Sequence, residues 1–183
     1  MSKLFIIGGA SGSGKTTIMK ALKSIWLKEI IPMTSRKPRK NEKEGTDYYF
    51  VSKNEILRLK RNGELALYLE FIRTCYGVSK KEIEDKLKNS HAFLITSYQG
   101  MQQIKEHYTN STSIFIDISY QDLIFNLLER EDNNIEMVKR RITTYDRERK
   151  HINHYDNVVT NVRGKLEHAI MNVKDIIERE IKL

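Results

Sequence analysis

Apolar residues fall in short runs separated by longer polar stretches. Lys3–Gly8, Glu29–Met33, Ala92–Thr96, Ser113–Ile118 and Asn157–Val162 are dense in Ile, Val, Leu and Phe, the pattern of short strands buried on both faces. The first run passes through glycines into a helical stretch, Thr16–Ser24, and each of the last three runs is followed by a segment of helical character. Repeated alternation of strand and helix predicts a three-layer α/β fold around a parallel sheet. The helical period is clearest at the end, where Leu166, Ile170, Val173, Ile177 and Ile181 recur every three or four residues with charges between them, a stripe suited to packing on the sheet.

Between Ser35 and Asn89 this alternation stops. A polar, basic stretch leads to a short strand at Tyr48–Val51, a helix at Lys53–Asn62 and a strand at Leu65–Phe71, which together read as an inserted lobe. The two prolines, Pro32 and Pro38, stand at its entry, where a chain leaves regular structure. No internal repeat or low-complexity tract interrupts the pattern.

A chain of 183 residues suits one compact domain, or one core carrying insertions. Its 32 basic and 24 acidic residues leave a net charge of +8, which favours anionic partners without choosing among nucleotides, phosphorylated metabolites and nucleic acid. Cys75 is the lone cysteine, so no internal disulfide can form, and a reducing, cytoplasmic setting is the expectation. The run Leu4–Ile7 is far too short to cross a bilayer, and no membrane partner is expected.

Directly after the first strand stands Gly9-Ala10-Ser11-Gly12-Ser13-Gly14-Lys15-Thr16, followed by Thr17. It meets the phosphate-loop pattern G-x-x-x-x-G-K-[ST] in its proper context, after a strand and before a helix. Glycines let successive backbone N–H groups curl around phosphate oxygens, and the helix N-terminus adds partial positive charge. Lys15 is placed to neutralise the terminal phosphates, Thr16 to ligate Mg²⁺, and Thr17 to offer a further hydroxyl. ATP and Mg²⁺ are the expected cofactors. The loop does not name the reaction, since many phosphoryl-transfer enzymes share it.

The insertion narrows it. Ser35-Arg36-Lys37-Pro38-Arg39 is followed by Glu42, Gly45, Asp47-Tyr48-Tyr49-Phe50-Val51-Ser52 and, later, Tyr76-Gly77. Two arginines beside an aromatic pair suit a clamp on a small phosphorylated ligand. In these segments, together with Gln99-Gly100, Arg130, Arg141 and Asn161, the sequence resembles the guanylate kinase family along nearly its whole length. The resemblance implies a core (1–34 and 90–183), an inserted monophosphate-binding lobe (about 35–89) and a mobile lid (about 128–150). It implies transfer of a phosphoryl group from ATP to a nucleoside monophosphate, GMP to GDP by family default. It further implies that Arg36, Arg39, Tyr48 and Tyr76 hold the acceptor's phosphate, and that Lys15, Arg130 and Arg141 balance charge in the transition state. No protein nucleophile is expected.

Departures from the family pattern cluster where the family reads guanine. Aligned back from Arg36, the family's base-contacting serine falls on Pro32. Counted back from Tyr76, its glutamate falls on Leu67, and the hydroxyl residue after Tyr-Gly falls on Val78. The D-x-D that precedes Gln-Gly becomes Ile95-Thr96-Ser97. An insertion and compensating deletion would instead bring Glu70 to the base, with Ser79 supplying the hydroxyl. Both registers are open at the level of sequence. Two further readings therefore stand beside the family default: a kinase for another nucleoside monophosphate or ribose bisphosphate, and a nucleotide-binding interaction module without catalysis.

The remaining features carry plainer expectations. The basic stretch Lys139–Lys150 has Glu136 just before it and Asp146 and Glu148 within it, which fits a solvated helix and lid and argues against a nucleic-acid partner. His151 and His154 read as surface residues at a helix end, Asp117 as a strand-end residue, and Trp26 as a packing residue. Oligomeric state is not encoded in any pattern found.

Overall fold

In the computed structural model, residues 2–23, 27–130 and 135–182 are described; for Arg130 and Met137 only the backbone is. Trp26 and the side chain of Arg130 thus lie outside the described residues. In chain order the elements are β1 (Leu4–Gly8), α1 (Lys15–Leu22), β2 (Leu27–Glu29), β3 (Met33–Thr34), β4 (Tyr49–Phe50), α2 (Lys53–Arg61), β5 (Leu65–Phe71), β6 (Thr74–Ser79), α3 (Lys80–Leu87), β7 (His91–Ile95), α4 (Tyr98–His107), β8 (Ser111–Asp117), α5 (Tyr120–Arg130), α6 (Ile135–Arg149), β9 (Asn157–Thr160) and α7 (Leu166–Lys182). One sheet has five strands in the order β2-β7-β1-β8-β9, the other four in the order β4-β3-β6-β5. The pairs β2/β7 and β8/β9 are parallel, as the strand-helix alternation predicts.

The chain forms two compact units, one comprising residues 1–4, 25–94 and 99–111, the other 5–24, 95–98 and 112–183. In the first, the run Glu29–Met33 does not make the single strand expected. β2 ends at Glu29 beside β7, while β3 begins at Met33 and pairs with β4 and β6. Pro32 falls between them; it has no N–H to give a ladder, and its carbonyl accepts from Tyr49 instead.

The small sheet has two distinct faces. Met33, Ile56, Leu65 and Cys75 form a buried cluster, with Tyr49, Val51, Leu59 and Tyr68 packed around it. Ile56 and Leu59 come from α2, so this face is the one α2 covers. β5 and β6 join through a tight turn at Ile72 and Arg73, both with positive φ (45° and 63°). That turn fixes the register as Phe71 opposite Thr74, Leu69 opposite Tyr76 and Leu67 opposite Val78. α2 and α3 each begin on a serine: Ser52 accepts from the Glu55 N–H and Ser79 from the Glu82 N–H, each at 3.1 Å.

In the second unit, Ala10, Ile118, Leu123, Leu127, Val138 and Tyr145 make a core between α5, α6 and the glycine-rich loop. Asp156 ties β9 to β8 by accepting from both the N–H and the hydroxyl of Ser113, at 2.7 and 2.8 Å. α7 buries Ala169, Val173 and Ile177 and packs on α1 and β9, with Leu166, Ile170 and Ile181 half-buried along the same stripe.

Candidate active site

The glycine-rich loop and the start of α1 line a cleft of about 780 Å³. Gly14 precedes α1 with φ 92°, and no side chain caps the helix. This contrasts with the serine-capped α2 and α3, and it leaves the first-turn N–H groups of α1 to be met by something other than a side chain. A Cβ at Gly14 would come within 2.4 Å of Asn161 Nδ2, which donates to the Ser13 carbonyl at 3.0 Å, so the loop's shape and the end of β9 are fitted to each other. The Ser13 hydroxyl is buried with no hydrogen-bond partner among the described residues.

Lys15 folds over the loop, its ammonium donating to the carbonyls of Gly9 and Ala10 at 2.8 and 2.6 Å. Thr16 and Thr17 lie exposed at the helix start and line the cleft. Arg141 reaches from α6 to donate to the Ser11 hydroxyl, which puts this arginine in contact with the loop. Asn126, on α5, donates to the Gly12 carbonyl at 3.0 Å.

Glu148 is a residue that pattern reading misjudged. Expected on a solvated face, it is 6% exposed and lines the cleft, its carboxylate accepting from the Tyr98 N–H at 3.1 Å. It stands beside the Ile95-Thr96-Ser97 turn, where both aspartates of the family pattern are missing. The cleft's other carboxylate, Glu129, is 2.9 Å from Arg163. His151 is stacked on Tyr98 at 3.9 Å and 3°, and Asp117 holds Arg149 through two bonds of 3.2 and 3.3 Å. Among the described residues no group of three or more His, Cys, Asp or Glu could hold a metal alone. An Mg²⁺ carried on nucleotide phosphates needs little from the protein, one hydroxyl and one acid acting through water. Thr16 and Glu148 on the cleft wall fit that demand.

The residues expected from the sequence to hold an acceptor belong to the other unit. Directly paired residues share a face of an antiparallel sheet, so Leu69, Tyr76 and Thr34 lie on one face, opposite to α2. Here Arg36 sits over the rings of Tyr48 and Phe50 (4.9 and 5.9 Å), and Tyr48 is 6.1 Å from Tyr76. Arg36 is locked by Glu42 through two hydrogen bonds of 2.5 and 2.7 Å. These bonds raise the guanidinium further above its usual range and pull the Glu42 carboxyl from 4.5 down to about 2. Burial pushes the Tyr48 phenol up. Arg36 Nε remains a buried donor without a partner among the described residues. Arg39 is exposed on the same turn, its backbone N–H donating to Glu42 at 2.9 Å.

Glu70 does not join this group. It pairs with Lys53 of α2 at 2.6 Å and accepts from the Tyr68 hydroxyl at 2.8 Å, on the face away from Tyr76. The reason is the hairpin register: bringing Glu70 to the place of Leu67 needs a shift of three residues, an odd number, which reverses every side chain of the strand. Ser79 pairs with Leu65 and caps α3, likewise away from the clamp.

Comparison with known proteins agrees with this arrangement. The family model described as guanylate kinase matches residues 1–180. A guanylate kinase from Nitrosomonas europaea is 35% identical over 98% of this chain and 90% of its own length. One from Oceanobacillus iheyensis is 34% identical over 97% and 87%. The crystal structure of guanylate kinase from Anaplasma phagocytophilum superposes with a TM-score of 0.72 at 27% identity, covering 98% of this chain and 86% of that one. With the phosphate loop, the three-layer α/β fold and the whole-chain match in agreement, the chain belongs to the guanylate kinase family, enzymes that transfer phosphoryl groups between nucleotides with ATP and Mg²⁺.

Proposed function

We propose that this chain transfers the γ-phosphoryl group of ATP to GMP, giving ADP and GDP. The observation that supports the proposal is a pair of groups suited to phosphate, of different make. One is the uncapped start of α1 behind the glycine loop. The other is Arg36, a guanidinium whose buried Nε lacks an acceptor among the described residues. A buried donor left unpaired is costly, and a phosphate oxygen would satisfy it. Glu42 and the two aromatic rings hold that guanidinium in place before any ligand arrives.

In this reading the loop amides and Lys15 hold the β- and γ-phosphates, and Thr16 with Glu148 serve the Mg²⁺, which supplies charge neutralisation on the transferring group. Arg36, Arg39, Tyr48 and Tyr76 hold the acceptor's phosphate. Arg141, already against the loop, and Arg130, by family position, balance charge as the phosphoryl group moves. The protein positions and neutralises, and needs no nucleophile of its own. The lone, buried Cys75 suits the reducing cytoplasm where nucleotide substrates reside, and no helix among the described residues is long and apolar enough to cross a membrane. The test is ADP formation from ATP on addition of GMP, followed in a coupled assay. Absence of GMP-dependent ADP above the ATP-only background would refute the reaction.

A further inference from the structure

The Gly12–Ser13 peptide of the glycine-rich loop is held at both ends. On one side the Ser13 N–H donates to the Ala10 carbonyl at 3.1 Å, the same oxygen that takes the Lys15 ammonium at 2.6 Å. The two donors converge on one point inside the loop, where a phosphate oxygen can replace that carbonyl as their shared acceptor. On the other side the Gly12 carbonyl accepts from the Asn126 amide at 3.0 Å. Carbonyl and N–H of one trans peptide point in opposite directions. Fixing the carbonyl outward on α5 therefore fixes the N–H inward, beside Lys15.

The backbone alone does not choose this orientation. Gly12 has φ 93°, and a glycine there lets the peptide that follows it turn over at little steric cost. Turned over, that peptide would aim the Gly12 carbonyl at the place of the phosphate, setting a negative partial charge where an anion must bind. α5 opposes the turn. Leu123, Asn126 and Leu127 stand three and four residues apart and so share one face of the helix. Both leucines are fully buried and pack against Gly12, where a Cβ would come within 3.0 Å of Leu127 and 3.1 Å of Leu123. The helix that carries the amide is thus seated directly on the loop. The next carbonyl, that of Ser13, is drawn aside in the same way by Asn161 at the end of β9.

We infer that Asn126 is a positioning residue of the donor site: its amide selects the loop form in which the Ser13 N–H joins Lys15 in binding a donor phosphate oxygen. It touches no reacting atom and acts through the Gly12–Ser13 peptide. The inference rests on the loop as the donor-phosphate site proposed above, and it does not depend on the acceptor.

The probe is ADP with Mg²⁺, whose binding needs no acceptor. Asn126→Leu keeps the size of the side chain without its amide, and on the full chain it is expected to raise the calorimetric Kd for ADP about fivefold while the Kd for GMP stays within about twofold. A rise for ADP below about threefold overturns the inference, and so does an equal rise for GMP. The readout that a merely structural role would not move is the Ser13 amide proton. In the wild type it should shift downfield on addition of ADP, as its acceptor changes from a carbonyl to a charged phosphate oxygen, and in Asn126→Leu the shift should be lost. A wild-type Ser13 amide that does not respond to ADP overturns the inference. Should Asn126→Leu fail to fold, judged by thermal melting, Asn126→Ala replaces it, and if neither folds the wild-type spectrum decides. A protein that binds ADP but forms no GDP refutes the proposed reaction and leaves these measurements intact, whereas one that binds no ADP overturns both.

Discussion

The two proposed anion sites are built from different materials. The donor loop works through backbone: glycines with positive φ, an uncapped helix start and main-chain N–H groups, with Lys15 as the charged addition. The proposed acceptor clamp would work through side chains, Arg36, Tyr48 and Tyr76, gathered on one face of a four-stranded sheet and braced by Glu42. A backbone site depends on a contiguous stretch of chain adopting one shape. A side-chain site depends on strand register, because moving a strand by an odd number of residues exchanges its faces. The first is therefore sensitive at its own glycines, where a Cβ at Gly14 would come within 2.4 Å of Asn161, whereas the second is sensitive to which face each strand residue takes.

Variants on each side should separate these behaviours. Removing the charge of the donor loop with Lys15→Ala is expected to have the largest effect, lowering kcat by about 10²–10³-fold with the melting temperature little changed; activity near wild type would detach the loop from catalysis. Arg36→Ala removes charge-assisted bonds to the acceptor and should raise the acceptor's KM by about 10–100-fold while leaving the KM for ATP alone. Equal rises in both would erase the distinction between the sites.

Smaller effects probe the brace and the far face. The Glu42 carboxyl, lowered by Arg36 from 4.5 to about 2, binds its proton less readily in the folded protein than in the unfolded chain. Its contribution to stability is therefore complete above about pH 4.5 and disappears as the pH falls through about 2. A carboxyl-carbon NMR titration should give a midpoint near 2 for Glu42, shifting back towards 4.5 in Arg36→Ala; an ordinary midpoint in the wild type would mean the brace does not hold in solution. Glu70→Gln should be the mildest, changing acceptor KM by no more than about twofold, since an exposed ion pair contributes little. A tenfold rise would return Glu70 to the acceptor face.

Much of the scaffold was legible in the chain. β5 spans the Leu65–Phe71 expected of it, α7 follows the stripe from Leu166, and the loop Gly9–Thr16 lies between strand and helix as its motif requires. β6 was missed as a strand, since Thr74–Ser79 lacks an apolar alternation. Its turn at Ile72 and Arg73 carries neither Gly nor Asn, the usual signals for positive φ. The split of Glu29–Met33 between two sheets was also hidden, because an apolar run looks alike whichever sheet takes each half. Glu148 looked solvated among alternating charges; its burial depends on the start of α4, fifty residues away in sequence.

The sequence by itself determined the phosphate-loop motif and the order of most core elements, because each is written in contiguous motifs or local periodicity. Only the tertiary structure decided that Leu67 rather than Glu70 shares a face with Tyr76, that Glu42 locks Arg36, and that Glu148 is buried beside the phosphate loop. Each of those facts depends on strand register or on a contact between residues not joined by a local pattern, and a side chain's face is not fixed until its strand has found its partner.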